Sequence, residues 1–237
     1  MKDSYSCDQL SYLERGIAKH LHKIRMDYLV SVLSKIKSEK KRIRVLDVGC
    51  GDGVVLKYVA SICDKNDTIV GLDVSKLRLE RAHKLLGSRV KCVIGNATDL
   101  KFKTGFFDIV IFHHVLEHVP NDKKSLEEAY RVLKKGGYIL VGVPNEGGNV
   151  GKLLRFVHPK VYMESQHIHF YTDSSMKQLI EEAGFKKVRT SRFGFLFPFY
   201  PIHWLILSIK PVFSTGHQIT QKIKFTADSL FFIAEKG

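Results

Sequence analysis

Apolar positions recur along the chain with two periods, and the switches between them outline the elements. From Ile43 the run IRVLDV is β-branched and apolar, the mark of a buried parallel strand. It stops at Gly49, Gly51 and Gly53, and Val54 then opens a helical pattern that runs to residue 62. Apolar runs of strand length return at 68–74, 90–94, 107–112, 138–143, 185–193 and 230–235. Between them, stretches at 75–86, 122–134 and 174–183 carry helix-end signals: Ser75 is an N-cap candidate, while Gly87, the Gly136–Gly137 pair and Gly184 close the three. Upstream, Leu10, Leu13, Ile17, Leu21, Ile24, Leu29, Val32, Leu33 and Ile36 fall near helical spacing, which predicts one or two amphipathic helices over residues 8–36. Residues 144–165 keep neither period and read as irregular. Strands alternating with helices predict an α/β domain.

A length of 237 residues fits one such domain, and 44% apolar with 26% charged residues is ordinary for a soluble chain. The net charge of +14 is spread without a long basic block. A basic solvated surface and an anionic partner, whether nucleic acid, acidic substrate or membrane surface, both fit it. Cys7, Cys50, Cys63 and Cys92 show no C-x-x-C spacing, and the opening MKDSYSCDQL lacks the apolar core of a signal peptide. Both features predict a reduced, cytoplasmic protein.

The chemistry concentrates at the ends of the strands. Three glycines in a strand-to-helix turn permit positive φ and close approach, so backbone amides and a helix N-terminus can face a bound polar group. A dinucleotide fingerprint needs G-x-G-x-x-G and a phosphate loop needs G-K-[ST]; residues 49–53 have neither, and a nucleoside without a pyrophosphate fits better. Asp73 ends the next strand about twenty residues on, where a carboxylate can accept bonds from two vicinal ribose hydroxyls.

The stretch VLDVGCGDG at 45–53 resembles the first motif, hh(D/E)hGxGxG, of the class I S-adenosylmethionine-dependent methyltransferases, a group that includes the ubiquinone and menaquinone biosynthesis enzymes. The resemblance covers roughly residues 43–195 and the last ten. It implies a Rossmann-like sheet of seven strands in the order 3-2-1-4-5-7-6, the last strand antiparallel, with S-adenosyl-L-methionine bound outside the carboxyl ends of the strands. By the family's motifs, Asp47, Gly49, Cys50, Gly51, Asp73 and Val74 are cofactor-binding candidates. The segment GNATDL stands where the family reads G-D-A, adding Asn96, Ala97 and Thr98, with Asp99 as a rival for the acid position. Asn96 can accept the adenine amino group through its amide oxygen, without charge.

His113 and His114 follow the fourth strand where the family's fourth motif borders the methyl group, His113 as a cofactor contact and His114 as a catalytic candidate. His114, Glu117 and His118 also spell H-x-x-E-H, which zinc peptidases carry on a helix; its place at a strand end argues against that use. Some quinone-pathway O-methyltransferases hold a divalent metal with acids and a histidine at these places, one acid being replaced here by His114. No metal ligand is assigned from the sequence. His167 and His169 in QHIHFYT match a histidine-bearing rim of related substrate pockets, where one would serve as a general base.

The stretch FGFLFPFYPIHWLILSIKPVF, 193–213, is nearly all apolar, but Pro198 and Pro201 break it short of a membrane span. A buried insertion or homodimer contact is one reading; a peripheral membrane element that delivers a lipid-like acceptor, with Trp204 and Tyr200 at the interface, is the other. The expected organisation is an N-terminal helical lid at 1–40 and a methyltransferase domain at 41–237 with an apolar insertion at 193–226. The expected activity is O-, C- or N-methylation of a small-molecule or lipid-like acceptor. An RNA methyltransferase and a cofactor-binding protein without transfer activity are the alternatives, the former disfavoured because HHVLEH replaces any base-flipping motif after the fourth strand.

Overall fold

The computed structural model describes residues 16–157, 159, 163, 165–194 and 227–237. In chain order the elements are α1 (Gly16–Ser38), β1 (Arg44–Val48), α2 (Val54–Ile62), β2 (Thr68–Asp73), α3 (Lys76–Leu86), β3 (Lys91–Ile94), β4 (Phe107–His113), α4 (Asp122–Val132), β5 (Leu133–Pro144), α5 (Asn149–Val157), α6 (Asp173–Glu182), β6 (Phe185–Phe193) and β7 (Ser229–Lys236). Short 3₁₀ turns follow α3 at Gly87–Arg89 and β4 at Leu116–His118.

The seven strands form one sheet in the order β3-β2-β1-β4-β5-β7-β6, as expected. Strands β1 to β5 pair in parallel and β7 runs antiparallel between β5 and β6. The continuous apolar runs have their cause here: β1, β2 and β4 are covered on both faces, so alternate residues have no water to face. One face packs Leu46, Val110, Phe112, Leu126 and Met176; the other packs Val45, Ile109, Leu56, Leu29 and Leu33.

The part of the N-terminal cover that is described is a core layer. Met26, Leu29 and Leu33 of α1 are fully buried, and Arg25 bonds Ser229 Oγ at 2.8 Å, tying the helix to the start of β7. Of the apolar insertion, only Phe193 and Gly194 are described; Phe193 is buried and meets Tyr28 of α1 with ring centroids 5.1 Å apart. Trp204, Tyr200 and the rest of 195–226 lie outside the described residues.

Two local readings are corrected. Helix α4 ends at Val132 rather than at the glycine pair, because Leu133 is buried and joins the sheet opposite Phe107. The glycines serve the strand instead: Gly136 takes φ +68, and a Cβ on Gly137 would stand 2.9 Å from the Lys134 carbonyl. The stretch 144–165 is not irregular throughout, since α5 occupies Asn149–Val157. Three glycines hid it, one of which, Gly151, lies so close to the Glu146 backbone that a Cβ would meet its carbonyl oxygen at 2.2 Å.

A candidate active site at the carboxyl ends of the strands

Parallel strands end together, so β1, β2, β3 and β4 bring their last residues to one edge, and there a cavity of about 440 Å³ opens. That volume is within the range of small-molecule sites. Gly49, Asp73, Val74, Asn96, Ala97 and His114 line it, all read from the sequence as site residues. Asp47, Cys50, Gly51, Thr98, His113, His167 and His169 do not line it.

The glycine turn is built differently from the amide cradle expected. The Gly49 and Cys50 amides both donate to the Leu72 carbonyl, at 2.7 and 3.0 Å, and the Gly51 amide donates to Asp73 Oδ2 at 2.8 Å. These donors fasten the turn to the end of β2. The missing side chain makes room for a neighbour in the cavity wall: Gly49 has φ +71, and a Cβ there would meet Val115 Cγ2 at 2.5 Å.

Acids surround the turn. Asp73 is 4% exposed, and its Oδ1 accepts from the Ser75 amide at 2.9 Å. With each oxygen holding one backbone donor, each keeps a lone pair for a ribose hydroxyl. Asp47 lies beneath the turn at 1% exposure; burial, with the Asp73 charge adding, pushes its carboxyl well above the usual range. Its Oδ2 is buried without a hydrogen-bond partner. An acid strained in this way is relieved by a nearby cation. A ligand that carries vicinal hydroxyls and positive charge, as S-adenosylmethionine does, therefore fits the residues present. Val74, 60% exposed, adds an apolar wall.

Asn96 does not present the expected acceptor. Its Oδ1 takes the Thr98 amide and the Thr98 hydroxyl, both at 3.0 Å, which leaves the amide nitrogen as the group open to a ligand. Asp99 is exposed and paired with Lys101 at 2.6 Å, away from the cavity. Cys50 is a core residue whose thiol is pushed up by burial.

The histidines separate. His113 packs beside Phe231 under the cavity, its Nε2 buried and without a hydrogen-bond partner, and burial holds its pKa well below the ordinary value. His114 sits in the cavity wall with φ +55, and its Nδ1 is 3.1 Å from Glu117 Oε1. Burial, then the charge of Arg25, lowers its pKa and keeps the ring neutral. His169 stands outside the cavity lining: Nε2 donates to the Val119 carbonyl at 3.0 Å and the ring stacks on Tyr171. His167 is held by Glu146, with Nδ1 2.8 Å from Oε2. Burial lowers the His167 pKa, and the Glu146 bond outweighs it to leave the net shift upward.

Sequence reasoning missed the cavity edge formed by Ser165 and Gln166, and the role of Glu146. Nothing in the local pattern marks either, because they reach the site through a loop. The Ile168 and His169 amides donate to the Glu117 carbonyl at 2.8 and 3.2 Å, and the Gly147 amide donates to the Tyr171 carbonyl at 2.8 Å. Those bonds lay residues 166–171 between the turn after β4 and the loop after β5.

Comparison with known proteins agrees with this geometry. A methyltransferase-domain family matches residues 46–141. An uncharacterised protein of Methanocaldococcus jannaschii is 33% identical over 168 residues, 67% of this chain and 74% of the relative. The 2-methyl-6-phytyl-1,4-hydroquinone methyltransferase 1 of Oryza sativa is 29% identical over 64% of this chain, which spans only 44% of that enzyme. Among solved structures, phosphoethanolamine N-methyltransferase 2 of Haemonchus contortus with S-adenosyl-L-methionine superposes with a TM-score of 0.59 at 20% identity, over 83% of this chain and 49% of that one, a likeness of fold.

Proposed function

The chain belongs to the class I S-adenosylmethionine-dependent methyltransferases, and on that premise we propose that its acceptor is a hydroxylated aromatic molecule with an apolar tail. S-adenosylmethionine, when bound, supplies an electrophilic methyl group on a sulfonium. The chain's own part is positioning: Asp73 holds the ribose, Ala97 and Val74 flank the base, and Asp47, beneath the turn, favours positive charge above it. His114, kept neutral and paired with Glu117, is the cavity side chain able to take the acceptor's proton.

One observation carries the acceptor class. Leu153, Phe156 and Val157 of α5, and Met163 and Ile168 on either side of Ser165 and Gln166 in sequence, are exposed, Phe156 at 85%. Arg155 lies 4.0 Å over the Phe170 ring and joins α5 to the loop that closes the cavity. Five large apolar side chains left exposed within one stretch of sixteen residues favour an apolar partner there. A phytyl-hydroquinone acceptor is what the Oryza sativa relative's name states for that enzyme, and it has this chemistry. The same apolar face, with Lys152 beside it and a net charge of +14, supports peripheral contact with an anionic bilayer. No helix among the described residues is long and apolar enough to cross a membrane.

Transfer of labelled methyl from S-adenosylmethionine to isoprenoid-tailed hydroquinones, their tail-less analogues, phospholipid and RNA tests the reading. Tailed hydroquinones are expected to exceed the tail-less ones at least tenfold in kcat/KM. Labelling of RNA, or equal rates with and without a tail, would overturn it.

A further inference from the structure

A separate pocket of about 430 Å³ opens on the face of the sheet, lined by Tyr138 of β5, Lys187 and Arg189 of β6, and Ile233 and Glu235 of β7. None of these residues lines the cavity at the strand ends.

The path of α1 leaves this corner of the sheet open. The Tyr28 ring meets Phe193 and Phe231, and its hydroxyl accepts from Ser191 Oγ at 2.7 Å, so the helix passes over β6 and β7 there. It ends on the far side of the sheet, where Lys37 Nζ reaches the carboxylate of Asp67, the residue before β2, at 2.7 Å. A helix laid obliquely in this way covers one corner of the face less than the rest. Alternation puts Phe231, Ile233 and Glu235 of β7 on that face. Ile233 is still buried, whereas Glu235 and its cross-strand neighbour Tyr138 are half-buried, and Lys187 and Arg189 are exposed.

A local irregularity sorts the charges. The pairing of β6 with β7 shifts register between Lys186 and Arg189, and Lys187 sits within the shift with φ +55. Such bulges re-aim side chains. Here Lys187 Nζ meets Glu235 Oε2 at 2.7 Å, so the acid that lines the pocket is already matched. Arg189 stands opposite Ile233 in the ladder and, among the described residues, has neither a hydrogen bond nor an ion pair. The Tyr138 hydroxyl has no hydrogen bond among them either. An unmatched guanidinium and a free hydroxyl therefore flank an apolar floor.

We infer that this pocket binds a small aromatic carboxylate, its ring over Ile233 and against Tyr138 and its carboxylate on Arg189. A guanidinium is a planar fork that pairs with a carboxylate through two parallel hydrogen bonds. The Tyr138 ring offers an aromatic body a packing surface, and its hydroxyl a further donor. A volume of this size holds a molecule of one or two rings. A cationic ligand would find only Glu235, which Lys187 occupies, and would stand against Arg189. The net charge of +14 adds a long-range pull on anions. Methyl transfer uses none of these residues, so the site is additional to the one at the strand ends.

The test is titration of the full chain with naphthoate in the presence of saturating S-adenosylmethionine, followed by calorimetry and by backbone amide shifts in NMR. One equivalent is expected to bind and to move the amides of Arg189 and Ile233. Affinity should fall about tenfold or more in Arg189→Gln, and by as much when naphthol replaces naphthoate, because each change removes a charge-assisted pair. S-adenosylmethionine should bind both proteins equally, and since Arg189 is exposed its variant keeps the fold. Loss of naphthoate in Arg189→Gln with cofactor affinity intact supports the inference. Absence of binding, equal affinity for naphthol, or undiminished affinity in Arg189→Gln would overturn it, the last by placing the acid elsewhere on the protein.

Discussion

Glu146 and His167 are 21 residues apart in sequence and 2.8 Å apart in space. Both side chains are largely buried, 14% and 15% exposed, so the bond is shielded from water. Glu146→Gln keeps the shape and removes the charge. The ring of His167 then loses the bond and charge that raise its pKa, so its titration should move to lower pH. An NMR pH titration of the histidine ring protons in the two proteins measures it; an unchanged His167 midpoint would mean that Glu146 only fastens the loop.

Asp73 has two jobs that substitution separates. Its carboxylate fastens the glycine turn through the Gly51 and Ser75 amides and, on the reading above, holds the ribose. Asp73→Ala should weaken S-adenosylmethionine by at least ~1 kcal/mol, about fivefold, and lower the melting temperature as well. If calorimetry finds the affinity unchanged, the ribose assignment fails even where the stability loss appears.

Gly49 and Gly87 share a positive φ, +71 and +58, but not their surroundings. Nothing lies within 4 Å of a Cβ on Gly87, whereas one on Gly49 meets Val115 Cγ2 at 2.5 Å. Gly87, with φ +58 and ψ −149, sits where almost only glycine goes, so Gly87→Ala should cost backbone strain of about 1–3 kcal/mol and nothing more. Gly49→Ala adds a steric clash beside the cavity and should lose clearly more stability, together with cofactor affinity. Urea midpoints for the two variants decide the comparison.

His22 makes stability depend on pH. Burial, and then the neighbouring Arg25 charge, lowers its pKa from 6.5 to about 4. The unfolded chain therefore takes up a proton near pH 6.5 that the folded chain refuses until near 4. This contribution to stability is whole above 6.5, is lost as the pH falls towards 4, and is flat below. At 9% exposure the penalty is little screened and reaches about 3 kcal/mol. Between pH 7 and 4, His22→Gln should lose less stability than the parent by about that total, and parallel curves would refute the assignment.

Much of this protein was legible before its fold. The runs that became β1, β2 and β4 are apolar throughout because both their faces are covered, and a glycine-broken turn after such a strand leaves few alternatives. Asp73 was readable for the same reason, since a parallel strand delivers its last residue to a fixed edge. Ser75 was likewise found where expected, accepting from the Arg78 amide as an N-cap. Each of these depends on neighbours a few residues away, and a sequence carries that information directly.

What only the tertiary structure decided are relationships between residues far apart in sequence. The glycine-turn amides were expected to face a ligand, yet they face the Leu72 carbonyl and the Asp73 carboxylate, which arrive from the adjacent strand. His167 and His169 looked equivalent in QHIHFYT, and simple extended backbone would put both on one side; the folded loop instead brings one to Glu146 and the other to Val119. Glu117, His118 and His167 meet because the Glu117 carbonyl captures two amides of a loop nearly fifty residues later. Local pattern fixes which residues form a strand or a turn, since that is settled by side-chain periodicity and backbone sterics. Which side chains then face one another depends on how the loops are pinned, and those bonds link positions with no common periodicity to read.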